Sequence, residues 1–346
     1  MTFGSLEGED LGYCSNFLDR TGIDLGGTSI LITGGTGFLG KWLTLFILWQ
    51  KRQLGKQIKL YLLTRNVANF KKQFKASFWT PDDVIFLEGS INDPLPLDEP
   101  VDLIVHGATD VVNAAKPALT VTTCLTGTDH VLEFAKTHGT SRIVLLSSGA
   151  VYANPNPWVP PHEADGLVTA DMQNAGAYAV GKSLAEWHMH ASLKDTSISY
   201  SIARCFAFGG PFIPLDKHFA FGSFIGKALR NQDIVINGDP RVERSYLYCA
   251  DFVTWIFTIL MSAPNQSVFN VGSSVVTTIG DLAEEIRRIS GSRSRVLVAG
   301  NHASDSPPSR YYPNTEKAMN SLGLVQNFTL SQMIQKTLRW ATPDGE

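Results

Sequence analysis

The residues Thr33-Gly34-Gly35-Thr36-Gly37-Phe38-Leu39-Gly40 follow a short apolar run, Ser29–Thr33, and open a longer stretch whose apolar positions recur at helical spacing. Glycines at G-x-x-G-x-x-G spacing in that context call for a strand, a tight turn and a helix in succession. Gly34 and Gly37 permit the turn and a close approach of backbone to a pyrophosphate, while Gly40 lets the helix lie against the strand. The first turn of such a helix presents unpaired N–H groups and a positive dipole end, which suits phosphates. A chain whose core begins this way is committed to alternating strands and helices.

The remaining sequence keeps that alternation. Apolar runs suited to buried parallel strands stand at Ile58–Thr64, Val84–Glu88, Leu103–His106, Arg142–Ser147, Ser199–Arg204 and Val268–Val271. Helices are predicted over Phe38–Lys51, Gly127–His138, Ala177–Lys194, Phe219–Arg230, Asp251–Met261 and Ile279–Ile289. The fold class is α/β, a doubly wound parallel sheet. From Gly209 onward, Gly-Gly-Pro, Asp239-Pro240 and the Ser304–Pro313 stretch break the pattern with turn-forming residues. The expected organisation is an N-terminal extension (1–27), a dinucleotide-binding domain (28–208, completed by 244–274) and a smaller C-terminal lobe for substrate (209–243 and 275–346).

A formal charge of −3 gives no electrostatic case for nucleic acid or a membrane surface. Trp42–Trp49 is far shorter than the roughly 20 apolar residues that cross a bilayer. The first 27 residues carry Glu7, Glu9, Asp10 and Asp19 and do not read as a signal peptide, so a cytoplasmic location is expected. Cys14, Cys124, Cys205 and Cys249 are scattered without metal-ligand spacing and read as reduced thiols.

Tyr178 and Lys182 stand four residues apart on a predicted helix, hence on one face. An ammonium there, with the positive ring of an oxidised nicotinamide, is expected to depress the phenol's pKa so that it exchanges a proton near neutrality. Ser148, thirty residues upstream at the end of an apolar strand, can polarise the same substrate oxygen. Arg65 directly follows the second strand, where the adenosine ribose should sit. A guanidinium there pairs with a 2′-phosphate, which favours NADP over NAD; the other reading is an arginine closing a strand end.

Together these residues resemble the extended short-chain dehydrogenase/reductase family, especially its nucleotide-sugar epimerase, dehydratase and reductase branch. The likeness spans about residues 28 to 325 and rests on the glycine turn, Val105-His106-Gly107-Ala108, Ser147-Ser148-Gly149-Ala150-Val151-Tyr152, and Tyr178 to Lys182, in that order. It implies a Rossmann fold with Tyr178 as acid/base, Lys182 orienting it and binding the nicotinamide ribose, and Ser148 holding the reacting oxygen. It also sets Phe38, Leu39, Ile91 and Ala108 against the cofactor. Arg244, in Arg244-Ser245-Tyr246-Leu247-Tyr248-Cys249-Ala250-Asp251, and Arg310, in Arg310-Tyr311-Tyr312-Pro313, resemble family segments that bind a nucleoside diphosphate. Family members often dimerise through helices that include the one carrying the tyrosine, which implies a homodimer.

The chain also departs from the family. Where 4,6-dehydratases of this family carry an Asp-Glu pair after the catalytic hydroxyl residue, it has Gly149 and Ala150, and where a ring-epimerising branch carries cysteine it has Ala150. Cys124, Ser90 and Ala207 replace a common Asn, Asp and Asn, and His218 lies either in the sugar pocket or on a solvated loop. Three functions are compatible: a nucleotide-sugar 4-epimerase, an NADPH-dependent reductase of a keto-sugar nucleotide, and a non-catalytic dinucleotide sensor, the last at odds with an intact triad.

Overall fold

The structure, a computed structural model, describes residues 5–73, 79–109, 116–153, 159–168, 176–216, 219–299 and 308–342; Lys217, His218 and Ser304 lie outside them. The first half runs α1 (Ser5–Arg20), β1 (Ser29–Thr33), α2 (Phe38–Leu54), β2 (Lys59–Thr64), α3 (Val67–Gln73), β3 (Ile85–Glu88), β4 (Leu103–His106), α4 (Pro117–Thr137), β5 (Arg142–Ser148) and α5 (Ala177–Leu193). The second half runs β6 (Ser199–Cys205), β7 (Phe208–Gly209), α6 (Ala220–Leu229), β8 (Ile234–Ile236), β9 (Glu243–Ser245), β10 (Leu247–Tyr248), α7 (Cys249–Ser262) and β11 (Ser267–Val271). It closes with β12 (Val276–Thr278), α8 (Ile279–Ser290), β13 (Val296–Val298), β14 (Arg310–Tyr311), α9 (Glu316–Leu322) and α10 (Leu330–Ala341).

Seven strands form one sheet in the order β11-β6-β5-β4-β1-β2-β3, and every pairing in it is parallel. The side-chain period of two sends successive residues to opposite faces. Ile30 and Ile32 enter the core under α2 and α7, and Leu31 enters the core under α4 and α5. Leu60 and Leu62 divide from Tyr61 and Leu63 in the same way. Chain order reverses at β1, which lies between β2 and β4; the carboxyl ends of the strands at such a switch point are where doubly wound sheets form a crevice.

Every strand expected of the large sheet is present. Helix α4 begins ten residues earlier than its apolar spacing suggests, at Pro117, a favourable first-turn residue whose missing N–H costs nothing there. Three small sheets, β12-β9-β14, β13-β8 and β10-β7, follow β6 with α6, α8 and α10 around them. Among the described residues, no helix is long and apolar enough to cross a membrane.

Helix α1 was not expected from the sequence. Gly8 and Gly12 each cost it about 1 kcal/mol of helix propensity. Burial decides instead: Leu11, Cys14, Phe17 and Leu18 are sunk against α7 and α2. Its polar groups are tied down as well. Asp10, buried, accepts from the Tyr248 hydroxyl and from Lys336 Nζ at 2.8 Å, and the Tyr13 hydroxyl donates to Asp251 at 2.9 Å.

Candidate active site

The glycine turn sits at the β1 switch point. Gly34 has φ +78°, a left-handed backbone that disfavours other residues, and a methyl added there would lie 2.7 Å from the Gly107 carbonyl carbon. The ends of β1 and β4 therefore touch backbone to backbone. Gly40 is equally constrained, since a methyl on it would fall 2.1 Å from the Gly34 oxygen. Gly37 is exposed and stands at the N-terminus of α2 with no side-chain cap; a methyl there would meet only the Gly34 oxygen, at 3.3 Å. Phe38 and Leu39 are half-buried in the first turn of α2, whose N–H groups have no intrahelical partner. Arg65 is exposed immediately after β2. Ile91 is buried against Gly127 of α4, and its carbonyl accepts from His130 Nδ1 at 3.0 Å. The Ala108 N–H donates to Thr33 Oγ1 at 3.1 Å.

Helix α5 carries Tyr178 and Lys182 one turn apart, facing the end of β5. Lys182 is buried and donates from Nζ to the Leu146 carbonyl at 2.8 Å; desolvation lowers its pKa. The Ser148 hydroxyl accepts from the Ala150 N–H at 3.1 Å and lies 3.4 Å from the Tyr311 hydroxyl. Tyr178 hydrogen-bonds with Ser148, so serine and phenol meet. The depressed phenol pKa was expected of Lys182 and an oxidised nicotinamide acting together; the protein's own surroundings act in the opposite direction. Burial pushes Tyr178 well up, with Tyr311 and Cys205 adding to the rise, and the Ser148 hydrogen bond opposes it only in part.

A polar network braces this corner from behind. Glu186, one turn beyond Lys182, takes a hydrogen bond from Ser147 and pairs with Arg204 at 2.8 Å, all three buried. Arg204 also donates to the Glu163 carbonyl at 3.1 Å and stacks over Tyr152 at 4.8 Å. β5, β6 and α5 are thereby locked together at the point where Ser148 and Lys182 emerge.

Arg244 and Arg310 are brought onto neighbouring strands, because β14 pairs with β9 in parallel with Tyr311 opposite Arg244. Arg244 is half-buried, donates to the Glu243 carbonyl at 2.8 Å and lies over the Tyr311 ring at 5.8 Å. Arg310 pairs with the Glu243 carboxylate at 2.7 Å. Sequence reasoning singled out the arginine of Arg310-Tyr311 and passed over the tyrosine. Tyr311 packs on Phe206 at 5.0 Å and puts its hydroxyl beside Ser148, an arrangement that depends on the β9–β14 pairing and leaves no local signal. Cys205, read as a reduced thiol, stands close enough to Lys182 and Tyr178 for their charges to be felt.

The sequence profile of the NAD dependent epimerase/dehydratase family matches residues 30–272. The chain is 26% identical over 314 residues to UDP-glucuronic acid decarboxylase 1 of Xenopus tropicalis, covering 90% of this chain and 71% of that one. Its fold is similar to a UDP-glucose 4-epimerase of Thermotoga maritima solved with UDP-glucose, with TM-score 0.74 and 20% identity over 90% of this chain and 98% of the other. A dTDP-glucose 4,6-dehydratase of Bacillus anthracis in complex with NAD gives TM-score 0.72 and 21% identity over 91% and 96% of the two chains.

Proposed function

Because the chain belongs to the NAD dependent epimerase/dehydratase family, we propose that it is a nicotinamide-dinucleotide-dependent enzyme acting on a nucleotide sugar, at one carbon bearing a hydroxyl or keto oxygen. The observation that carries this reading is the meeting of Ser148, Tyr178 and Lys182 on the same edge of the sheet as the Gly34 turn. When bound, the nicotinamide supplies the hydride acceptor and donor. Tyr178 exchanges a proton with the reacting oxygen, Ser148 donates a hydrogen bond to that oxygen, and Lys182 fixes the ribose side. The start of α2 and the N–H groups of Phe38 and Leu39 hold the pyrophosphate, with Ala108 and the Ile91 backbone lining the crevice. Arg310, in the lobe formed by 209–243 and 275–346, and Arg244, at the start of the 244–274 segment that borders it, clamp the sugar's diphosphate.

Gly149 and Ala150 carry no carboxyl group to eliminate water, which favours simple oxidation and reduction over dehydration. A 4-epimerase needs nothing more than the triad. The second reading, a reductase of a keto-sugar nucleotide, is favoured by exposed Arg65 at the end of β2, which suits NADP. Leu119 and Leu125 on α4 and Leu184 and Trp187 on α5 are large exposed apolar side chains, and support a homodimer through those helices. The four free thiols accord with the cytoplasmic location that forms part of the same reading.

The test is a panel of UDP-glucose, UDP-glucuronic acid and dTDP-glucose, with NAD and NADP, product sugars being identified by NMR. Inversion without net cofactor turnover marks the epimerase, and stoichiometric NADPH oxidation with a keto-sugar nucleotide marks the reductase. Tyr178→Phe should lose turnover by more than about 100-fold while binding cofactor normally. A protein that neither retains a dinucleotide nor turns over any member of the panel is the non-catalytic relative.

A further inference from the structure

Between the glycine turn and the catalytic lysine lies a buried imidazole, His106, whose two nitrogens are both engaged. Thr33 Oγ1 lies 2.8 Å from His106 Nδ1, and His106 Nε2 lies 3.1 Å from Thr128 Oγ1. The direction of these bonds follows from counting. Thr128 Oγ1 spends its one proton on the Cys124 carbonyl and so can only accept from Nε2–H, which leaves Nδ1 unprotonated and facing Thr33 Oγ1; that oxygen accepts from the Ala108 N–H at 3.1 Å and shares the Gly107 N–H, at 3.1 Å, with the Thr33 carbonyl. Its proton must therefore point at His106 Nδ1. That nitrogen is the acceptor, the ring proton sits on Nε2, and Nε2–H donates to Thr128, which donates in turn to the Cys124 carbonyl at 2.7 Å. The bonds run one way, from the Gly107-Ala108 backbone through Thr33, His106 and Thr128 to α4.

We infer that His106, fixed as the neutral Nε2–H tautomer, is a positioning residue of the dinucleotide site, holding the Gly107-Ala108 backbone against the Gly34 turn through Thr33. The inference rests on the reading of that turn as the pyrophosphate site. The wall it fixes is one the glycine turn itself touches, since Gly34 and Gly107 approach backbone to backbone. Burial and the neighbouring Lys182 charge both oppose a second proton on the ring, pushing its pKa down to about 3. A chain of like-directed bonds in a dry interior stiffens its members mutually, and removal of the imidazole leaves the Thr33 proton without an acceptor.

The experiment has two arms on the full-length protein. In the first, nitrogen-15 NMR of the native protein reads the tautomer: His106 should show an unprotonated Nδ1 and a protonated Nε2 from pH 5 to 8. A protonated Nδ1, or a cationic ring in that range, overturns the inference whatever the variants do. In the second, NAD and NADP binding is measured by calorimetry for His106→Leu and His106→Asn. The leucine should weaken binding about 10-fold or more, and asparagine, whose side-chain oxygen can take the Thr33 proton, should recover most of it. Wild-type affinity in His106→Leu, or equal losses in both variants, overturns the positioning role and leaves the dinucleotide reading intact. Wild-type protein that shows the tautomer and binds neither dinucleotide overturns both.

Discussion

The Ser148 hydroxyl lies 3.4 Å from the Tyr311 hydroxyl while the Ala150 N–H donates to the same serine oxygen at 3.1 Å. The serine is thus loosely held on one side, since a strong O–H···O contact is nearer about 2.8 Å. Its proton, which also serves Tyr178, is the donor it can offer to an incoming oxygen. Ser148→Ala removes that donor and should lower kcat by about 100- to 1,000-fold, with dinucleotide affinity unchanged within error. A kcat within a few-fold of wild type would remove Ser148 from the chemistry.

Arg65 provides a direct test of cofactor choice. It stands exposed past the end of β2. Arg65→Ala should weaken NADP roughly 10-fold or more and change NAD little, because only the 2′-phosphate gives the guanidinium a charged partner. Equal effects on the two cofactors, measured by calorimetry, would make Arg65 a strand-end residue and leave NAD as the cofactor.

The buried pair of Glu186 and Arg204 should resist substitution for a different reason. Glu186→Gln leaves the Arg204 guanidinium in a dry site without a counter-charge and weakens the acceptor for Ser147. Breaking one side of a buried pair typically costs about 3–5 kcal/mol, read here as a lower denaturant midpoint. A loss below about 1 kcal/mol would mean that water reaches the pair.

Asp251 makes stability depend on pH. Burial raises its pKa from 3.8 to about 6, against the hydrogen bonds from Tyr13, Asn327 and Phe328. A folded state that holds the proton more tightly than the unfolded chain is favoured at low pH. Its contribution is therefore full below about pH 4 and is lost as pH rises through about 6. Asp251→Asn removes the titrating group but offers one oxygen where donors now use two; it should lower the midpoint of thermal unfolding and flatten its pH dependence across that window. An unchanged pH profile in the variant would assign the dependence to another group.

The sheet was legible because its signals are local. Ile30, Leu31 and Ile32 announce a strand with two buried faces, and Gly34 to Gly40 announce the turn that follows. The triad was legible for the same reason: a four-residue spacing and a strand end suffice to bring Ser148, Tyr178 and Lys182 together. Tyr311 was not, because its place beside Ser148 depends on a two-residue strand pairing with β9, some 65 residues away in sequence. The depth of Tyr178 was hidden for a related reason. Spacing on a helix reveals the neighbouring Lys182 but not the depth of burial, which pushes the Tyr178 pKa up. Helix α1 was hidden by its own glycines, its stability residing in the surface it covers.

That helix has a consequence for biogenesis. The partners of Asp10 and Tyr13 are Tyr248, Asp251, Asn327 and Lys336, so these bonds wait on residues that the ribosome adds 238 to 326 positions later. Until then Leu11, Phe17 and Leu18 stay uncovered on a nascent polypeptide, a target for chaperones and a hazard for aggregation.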